Sequence, residues 1–314
     1  MTQTKTTSSG AYTDLKSLLA LRFEARGFSF HPGQLMRNPL HGRYAARLRG
    51  RGLNFEELRQ YQMGDDIRNI DWKVTNRMRK PFVRSYTEEK ERASLLLVDQ
   101  RTSMFFGSQR EMKSVTAAEC AALIAWRMIT EGDRVGGIVF GDEGLQEYKP
   151  HHLQSTLVAF LRGIEKSNQA LSLSAPPATP PCQMAHALQE AGRLTTHDQL
   201  IVLITDLSGW NAQTCKTATG LAQHNDLVVL HVVDPLEAQL PSQGQMPVSD
   251  GMLQMELDAS KSKLRADFAH SFETRTKAIS QDLAKHGVVV VPITTAQEVA
   301  PQLRQAFGHR KMKR

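Results

Sequence analysis

The amino-acid sequence predicts an α/β protein built on a mostly parallel sheet flanked by helices. Short apolar runs recur at residues 94–98, 135–140, 199–205 and 227–233, and segments with helical spacing of apolar residues separate them. Residues 95–98 are apolar throughout, which is typical of a strand covered on both faces. Strands that alternate with helices indicate βαβ units and therefore a parallel sheet.

The chain divides into two predicted parts. Residues 1–90 hold an N-terminal helix and a small β-rich subdomain, and residues 91–314 hold the α/β domain, with a loop excursion near 235–260. The helix is predicted over residues 13–26, where Phe23 falls on the apolar face. The subdomain is predicted to consist of short strands and turns, because basic residues interleave there with aromatic ones.

The other elements of the α/β domain follow from apolar periodicity and from turn residues. A last strand is predicted over residues 287–292, and residues 141–144 are predicted to turn the chain. His151 and His152 are predicted to begin a helix after Pro150, with capping or surface roles. Helices are predicted over residues 111–130, 153–164, 184–194, 211–223, 261–285 and 296–307.

Composition limits the environment of the protein. The 314 residues are 40% hydrophobic, and no apolar run approaches the ~20 residues that span a bilayer. The amino terminus does not resemble a secretion signal. The three cysteines are widely spaced and form no Cys-x-x-Cys pair. We therefore expect a soluble protein in the reducing cytoplasm, without a transmembrane segment.

Two basic runs account for much of the formal net charge of +7. One is the tail, residues 309–314, and the other consists of Arg43, Arg47, Arg49 and Arg51. Aromatic residues that could stack on bases lie among or near the second run, namely Tyr44, Phe55 and Tyr61. Such short charge runs are more often a solvated face or a frayed terminus. The alternative function that they support is binding to nucleic acid or to an anionic surface.

Polar residues follow the predicted strands at the edge where open α/β sheets bind ligands. Asp99, Thr102 and Ser103 follow one strand, and Asp206 and Ser208 follow another. The spacing Asp-x-Arg-x-Ser, in which Arg101 takes the middle position, resembles the Asp-x-Ser-x-Ser loop of von Willebrand factor A domains. In that family this loop binds one divalent cation together with a Thr of a second loop and an Asp of a third.

The resemblance implies a degenerate metal site. Arg101 replaces the middle Ser, Cys182 falls near the place of the second-loop Thr, and Asp206 keeps the third-loop Asp. Because Mg²⁺ requires hard oxygen ligands, these changes predict that no metal binds. We hypothesise that the Arg101 guanidinium takes its place on Asp99 or Asp206. In the simpler interpretation Arg101 points to solvent and the loop is an ordinary turn.

A longer motif upstream resembles the signature of a bacterial family catalogued as domain of unknown function fifty-eight. The resemblance covers residues 40–140 closely and the remainder by strand order. The chain departs from the signature at Asn76, where the family usually has Ala. The matched residues are Gly64, Asp65, Asp66, Arg68, Ile70, Asp71, Trp72 and Arg77.

The family resemblance implies a von Willebrand A-like domain and an adaptor or chaperone role beside MoxR-type AAA+ ATPases. A protein partner of this type is therefore expected at the edge that carries Asp99 and Asp206, and any association with the inner membrane would run through partners. The signature residues have a structural interpretation as well. Arg68, Asp71, Trp72 and Arg77 are expected to form a buried network of ion pairs and stacking.

The sequence gives little support for catalysis. It contains no Gly-x-x-x-x-Gly-Lys-Ser/Thr loop for nucleotide phosphates and no Gly-x-Ser-x-Gly nucleophile elbow. No pair of acid and base residues can be assembled from spacing alone. We therefore predict a non-enzymatic protein without a cofactor.

Overall fold

The computed structural model describes residues 10–30, 53–63, 65–88, 92–172, 183–242, 244–249 and 254–308. Its centre is a six-stranded sheet. The strands of the chain are β1 (Leu53–Gln60), β2 (Phe82–Glu88), β3 (Ala93–Asp99), β4 (Arg134–Gly141), β5 (Gly144–His151), β6 (Leu200–Thr205), β7 (Asp226–Val233), β8 (Gln245–Ser249), β9 (Gln254–Asp258) and β10 (Val289–Thr294).

The order in the central sheet is β10-β7-β6-β3-β4-β5, and all neighbours are parallel except β4 and β5. The predicted α/β class with a mostly parallel sheet is therefore confirmed. A separate antiparallel pair, β1 with β2, forms the predicted small sheet near the amino terminus.

Helices cover both faces of the central sheet. The helices of the described residues are α1 (Leu15–Ala20), α2 (Trp72–Met78), which lies in the small subdomain, α3 (Lys113–Thr130), α4 (Gln154–Gln169), α5 (Gln183–Leu194), α6 (Ala212–Ala222), α7 (Pro235–Ala238), α8 (Ser262–Lys285) and α9 (Val299–Phe307). The helix α3 is buried along most of its length, and Trp126 lies in the core. No helix of the described residues has both the length and the apolar character to cross a membrane.

Alternate side chains of β3 point into two separate cores, because successive residues of a strand face opposite sides of a sheet. Leu96 and Val98 pack in one core with α3, α4 and α9. Leu95 and Leu97 pack in the other with α5 and α6. All seven residues of β3 are buried, so the strand is central, as its apolar run predicted.

The predicted helix over residues 13–26 was too long. Asp14 caps α1, which ends after six residues and continues as a 3₁₀ turn, Leu21–Phe23. Phe23 is 74% exposed, so its predicted place on a buried face is wrong. The tighter 3₁₀ turn rotates successive side chains by a different angle from an α-helix, which moves Phe23 off the apolar stripe.

Three further elements differ from the sequence prediction. His151 ends the edge strand β5 instead of beginning a helix, and α4 starts at Gln154. The excursion after β7 begins with α7 and contains the hairpin of β8 and β9. The helix α2 lies in the subdomain that was predicted to hold only strands and turns. These elements are short and mostly polar, so hydrophobic periodicity hardly marks them.

Candidate functional site

The candidate site lies at the edge of the sheet where the parallel strands end. Asp99 is the last residue of β3, and Asp206 follows β6, the strand paired with β3. Because these strands are parallel neighbours, the two carboxylates reach the same edge. Both carboxylates are buried, so the groups that compensate their negative charge decide what this edge can bind.

The guanidinium of Arg101 neutralises Asp99. Its Nε donates to Asp99 Oδ1 at 2.9 Å, and its second terminal nitrogen donates to Oδ2 at 2.6 Å. The same nitrogen lies 3.6 Å from Asp206 Oδ1, and the other donates to the Ser208 carbonyl oxygen at 3.1 Å. Arg101 is only 12% exposed. The hypothesised contact between Arg101 and Asp99 is thus present, and the solvent-pointing interpretation is wrong.

A second cation, which the sequence analysis missed, completes the site. The Lys113 ammonium donates to Asp206 Oδ2 at 2.9 Å and to Glu237 Oε1 at 2.5 Å, and the side chain is 1% exposed. The position of Lys113 in the sequence could have indicated this role. Lys113 precedes Ala117 and Ala121 at helical spacing on the buried stripe of α3, and a cation on such a stripe requires a buried carboxylate.

The pKa values of these groups follow from mutual charge. Burial opposes the charge on Lys113, but the carboxylates of Asp206 and Glu237 outweigh burial and raise its pKa. Burial likewise disfavours ionised Asp206, yet Lys113 and Arg101 hold its pKa below the ordinary value. Both partners therefore stay ionised around neutral pH. We call Asp99, Arg101, Lys113, Asp206 and Glu237 the edge cluster.

Neighbouring hydroxyl and amide groups occupy the remaining acceptor positions of Asp99. Thr205 Oγ1 donates to Oδ2 at 2.6 Å, and the Arg101 amide donates to Oδ1 at 3.1 Å. Thr102 turns away from the cluster and donates its amide and its hydroxyl to Asp142 at 2.7 and 2.5 Å. The Ser103 hydroxyl is buried without a hydrogen-bond partner in the described part of the chain. The Thr and Ser predicted beside Asp99 therefore do not join one ligand set.

This arrangement is a poor fit for a divalent cation. Asp99 and Asp206 would have to release the Arg101 guanidinium and the Lys113 ammonium before either carboxylate could bind a metal. Within the described ranges no group of three or more His, Cys, Asp or Glu side chains could hold a metal ion. The absence of a bound metal stays a prediction, which titration can test.

The signature residues do not form the buried network that was predicted. Trp72 is 70% exposed, and Arg68 and Arg77 are exposed as well. The carboxylate of Asp71 caps α2 through the amides of Lys73 and Val74 and pairs with Arg84, which the motif did not include. Trp72 is the first residue of α2, directly after this cap, and its side chain points to solvent.

Several predicted residues cannot be placed. Gly64 of the signature and Cys182 lie outside the described residues, as do the basic residues Arg43, Arg47, Arg49 and Arg51. The alternative function in nucleic-acid or anionic-surface binding therefore gains no structural observation and stays a prediction.

The protein is of the α/β class, with a six-stranded, mostly parallel sheet and buried ion pairs at the edge where the parallel strands end. The chain belongs to the family described as protein of unknown function DUF58, which matches residues 57–278. Similar proteins include the uncharacterized protein Rv1480 of Mycobacterium tuberculosis and the uncharacterized protein Mb1516 of Mycobacterium bovis. Each is 25% identical over 263 residues, which cover 82% of this chain and 80% of the relative.

A solved structure with partial similarity is that of BatB from Bacteroides thetaiotaomicron, a conserved hypothetical protein. It covers 69% of this chain and 96% of its own, with 16% identity and a TM-score of 0.41. The relatives are uncharacterized and assign no activity to the family.

Replacing Lys113 by Met should lower the free energy of unfolding by about 3–5 kcal/mol, because Asp206 and Glu237 would lose their buried counter-charge. Urea unfolding followed by circular dichroism measures the change. Lys149→Met, on the exposed side of β5, is the control and should change stability by less than about 0.5 kcal/mol. Equal stabilities of the two variants would contradict the role of Lys113.

Titration with Mg²⁺ or Mn²⁺ in a calorimeter should give no saturable heat at micromolar metal. Arg101 and Lys113 already satisfy the two aspartates, and a dication would have to displace them. A von Willebrand A domain with the complete Asp-x-Ser-x-Ser loop is the positive control. A saturable micromolar site in this chain would refute the substitution of Arg101 for the metal.

His231 on β7, close to Asp206, should make the fold sensitive to acid. Burial lowers the pKa of His231 from 6.5 to about 4, although the charge of Asp206 acts in the opposite direction. The unfolded chain therefore takes up a proton below pH 6.5 that the folded chain binds only near pH 4. The free energy of unfolding should decrease by about 2–3 kcal/mol as pH falls through this window.

The variant His231→Gln cannot bind this proton, so its loss of stability between pH 6.5 and pH 4 should be smaller than that of the wild type. The comparison uses urea unfolding at several pH values. His224→Gln changes an exposed histidine in the turn before β7 and should follow the wild-type curve. Parallel curves for His231→Gln and the wild type would show that His231 does not cause acid sensitivity.

Proposed function

We propose that this protein is a non-enzymatic adaptor that binds a MoxR-type AAA+ ATPase in chaperone-like assembly or maturation. In this proposal its α/β domain is von Willebrand A-like with a degenerate metal site, and the protein acts in the cytoplasm. The observation that supports it most is the edge cluster. Arg101 and Lys113 stand on the two aspartates, where a related metal-dependent domain would hold a cation and recruit a partner carboxylate.

The edge cluster favours binding over catalysis. A general acid or base needs a pKa near the working pH and access to a substrate. Asp206 instead has a lowered pKa and is buried, and Lys113 has a raised pKa and is shielded from solvent. A rigid edge whose charges are paired with one another suits a surface that must keep one shape while a partner docks on it.

Aromatic side chains beside the edge cluster supply the apolar part of this contact surface. Phe106 is 37% exposed, and the Lys113 ammonium lies 5.8 Å from its ring centroid. Phe105 and Trp210 are half-buried in the loops that follow β3 and β6. Aromatic residues of this kind often carry much of the binding energy of protein interfaces.

Co-expression with a MoxR-type AAA+ ATPase of the same organism should yield a complex on size-exclusion chromatography or a changed rate of ATP turnover. Phe106→Ala should weaken the binding of the purified ATPase about tenfold, because truncation removes an exposed apolar anchor. Leu153→Ala, which truncates an exposed side chain at the start of α4, is the control. The adaptor role is refuted if the wild-type protein neither forms a complex with the ATPase nor changes its rate of ATP turnover.

A further inference from the structure

The small subdomain of β1, α2 and β2 exposes large apolar side chains in its connecting segments. Met63 is fully exposed, Ile67 is 64% exposed, Trp72 is 70% exposed and Met78 is 58% exposed. Exposed cations lie in and directly after α2, namely Lys73, Arg77, Arg79 and Lys80. We call these eight residues the signature surface. Within the described part of the chain, none of the four cations pairs with a carboxylate.

The acidic residues of the signature hold this surface in shape. Asp65 binds Arg59 of β1 through two hydrogen bonds of 2.6 and 2.9 Å. Asp66 accepts from the Arg68 amide and caps the 3₁₀ turn that presents Ile67. Asp71 caps α2, the helix that presents Trp72. Each carboxylate therefore fixes the backbone next to an apolar side chain that points to solvent.

The exposed indole of Trp72 contributes little to the stability of the described part of the chain. An indole buries the largest apolar area of any side chain, so a fixed indole in water leaves that free energy unused. Trp and Arg are the residues most enriched among the energetic centres of protein interfaces. Hence Trp72 and Arg77, on one short helix, have the composition of a binding surface.

We infer that the signature surface docks a partner protein that presents carboxylates around an apolar pocket large enough for the Trp72 indole. The free cations of the surface select an acidic partner, and the exposed side chains of Met63, Ile67 and Met78 require an apolar one. The inference rests on the proposed adaptor function and gives it a second contact surface, separate from the edge cluster.

Other occupants fit the signature surface less well. A second copy of this chain would bring like charge together, since the formal net charge is +7. Single-stranded nucleic acid needs a series of aromatic platforms, whereas Trp72 is the one strongly exposed aromatic residue of the surface. Membrane binding needs an apolar stripe along one amphipathic helix, and here the apolar residues are spread over two turns and both ends of α2.

Two purified probes test the inference by biolayer interferometry on the full-length chain. One is a MoxR-type AAA+ ATPase of the same organism, and the other is a glutamate-rich peptide with a Leu-Phe centre, compared with the same peptide carrying glutamines. Trp72→Ala should weaken binding of the ATPase or the acidic peptide at least tenfold. Arg77→Glu should weaken it and reduce its dependence on salt. Leu153→Ala and Lys149→Glu are matched controls elsewhere on the surface.

The outcomes separate this inference from the proposed function. In one outcome the wild type binds the ATPase, Phe106→Ala weakens this binding and Trp72→Ala leaves it unchanged. That result overturns the docking role of the signature surface and supports the adaptor function. Trp72-dependent binding to the acidic peptide without ATPase binding supports the surface and refutes the proposed partner. No binding to either probe, or Trp72-dependent binding to single-stranded DNA or phosphatidylglycerol vesicles instead, overturns the inference. Both variants should keep the thermal unfolding temperature of the wild type, because Trp72 and Arg77 are exposed.

Discussion

The pairing of the Lys113 ammonium with Asp206 and Glu237 is the interaction on which this edge of the molecule depends. A buried ammonium costs several kcal/mol in lost hydration, and the positive end of the helix dipole at the start of α3 adds to that cost. Only the two carboxylates offset it. Since Asp206 follows β6 and Glu237 lies in α7, this one charge connects α3 with the ends of two strands. Glu237 also completes a capping box with Asp234, so the cation holds a segment that has little core of its own.

In the proposed function, Arg101 and Lys113 take the place of a metal ion, and this substitution changes what the edge can do. A bound Mg²⁺ can keep an open coordination position for a partner carboxylate, and removing the metal can switch that position off. Arg101 and Lys113 are covalently part of the chain, and Arg101 directs its hydrogen bonds to Asp99 and to the Ser208 carbonyl. In the proposed function, recognition at this edge therefore comes from shape and from apolar contact with the exposed side chains around it.

The sequence predicted the interactions that are local along the chain and missed those between distant segments. Arg101 and Asp99 are two residues apart at the end of an obvious strand, so their contact could be inferred from a motif. Lys113 and Asp206 meet only because β3 and β6 are neighbours, an order that periodicity does not reveal. The error at Trp72 has a different origin. Its motif was expected to pack inward because Trp usually buries its area, but the aspartates of the signature hold the backbone and leave the indole outside.

The edge cluster and the signature surface differ in how their charges are paired, and this contrast favours separate roles for them in the proposed function. At the edge cluster the cations and carboxylates satisfy each other, so a partner can gain little there from charge and must rely on fit. Beside the signature surface the carboxylates of the motif are committed to caps and to Arg59, Arg68 and Arg84, which leaves the cations of the surface facing solvent. In the proposed function, long-range attraction and partner selection therefore belong to the signature surface, whereas close apolar contact belongs to Phe106 and its neighbours. The proposed adaptor would have to find an ATPase and hold it in one orientation, and separate parts of a single chain supply these two properties.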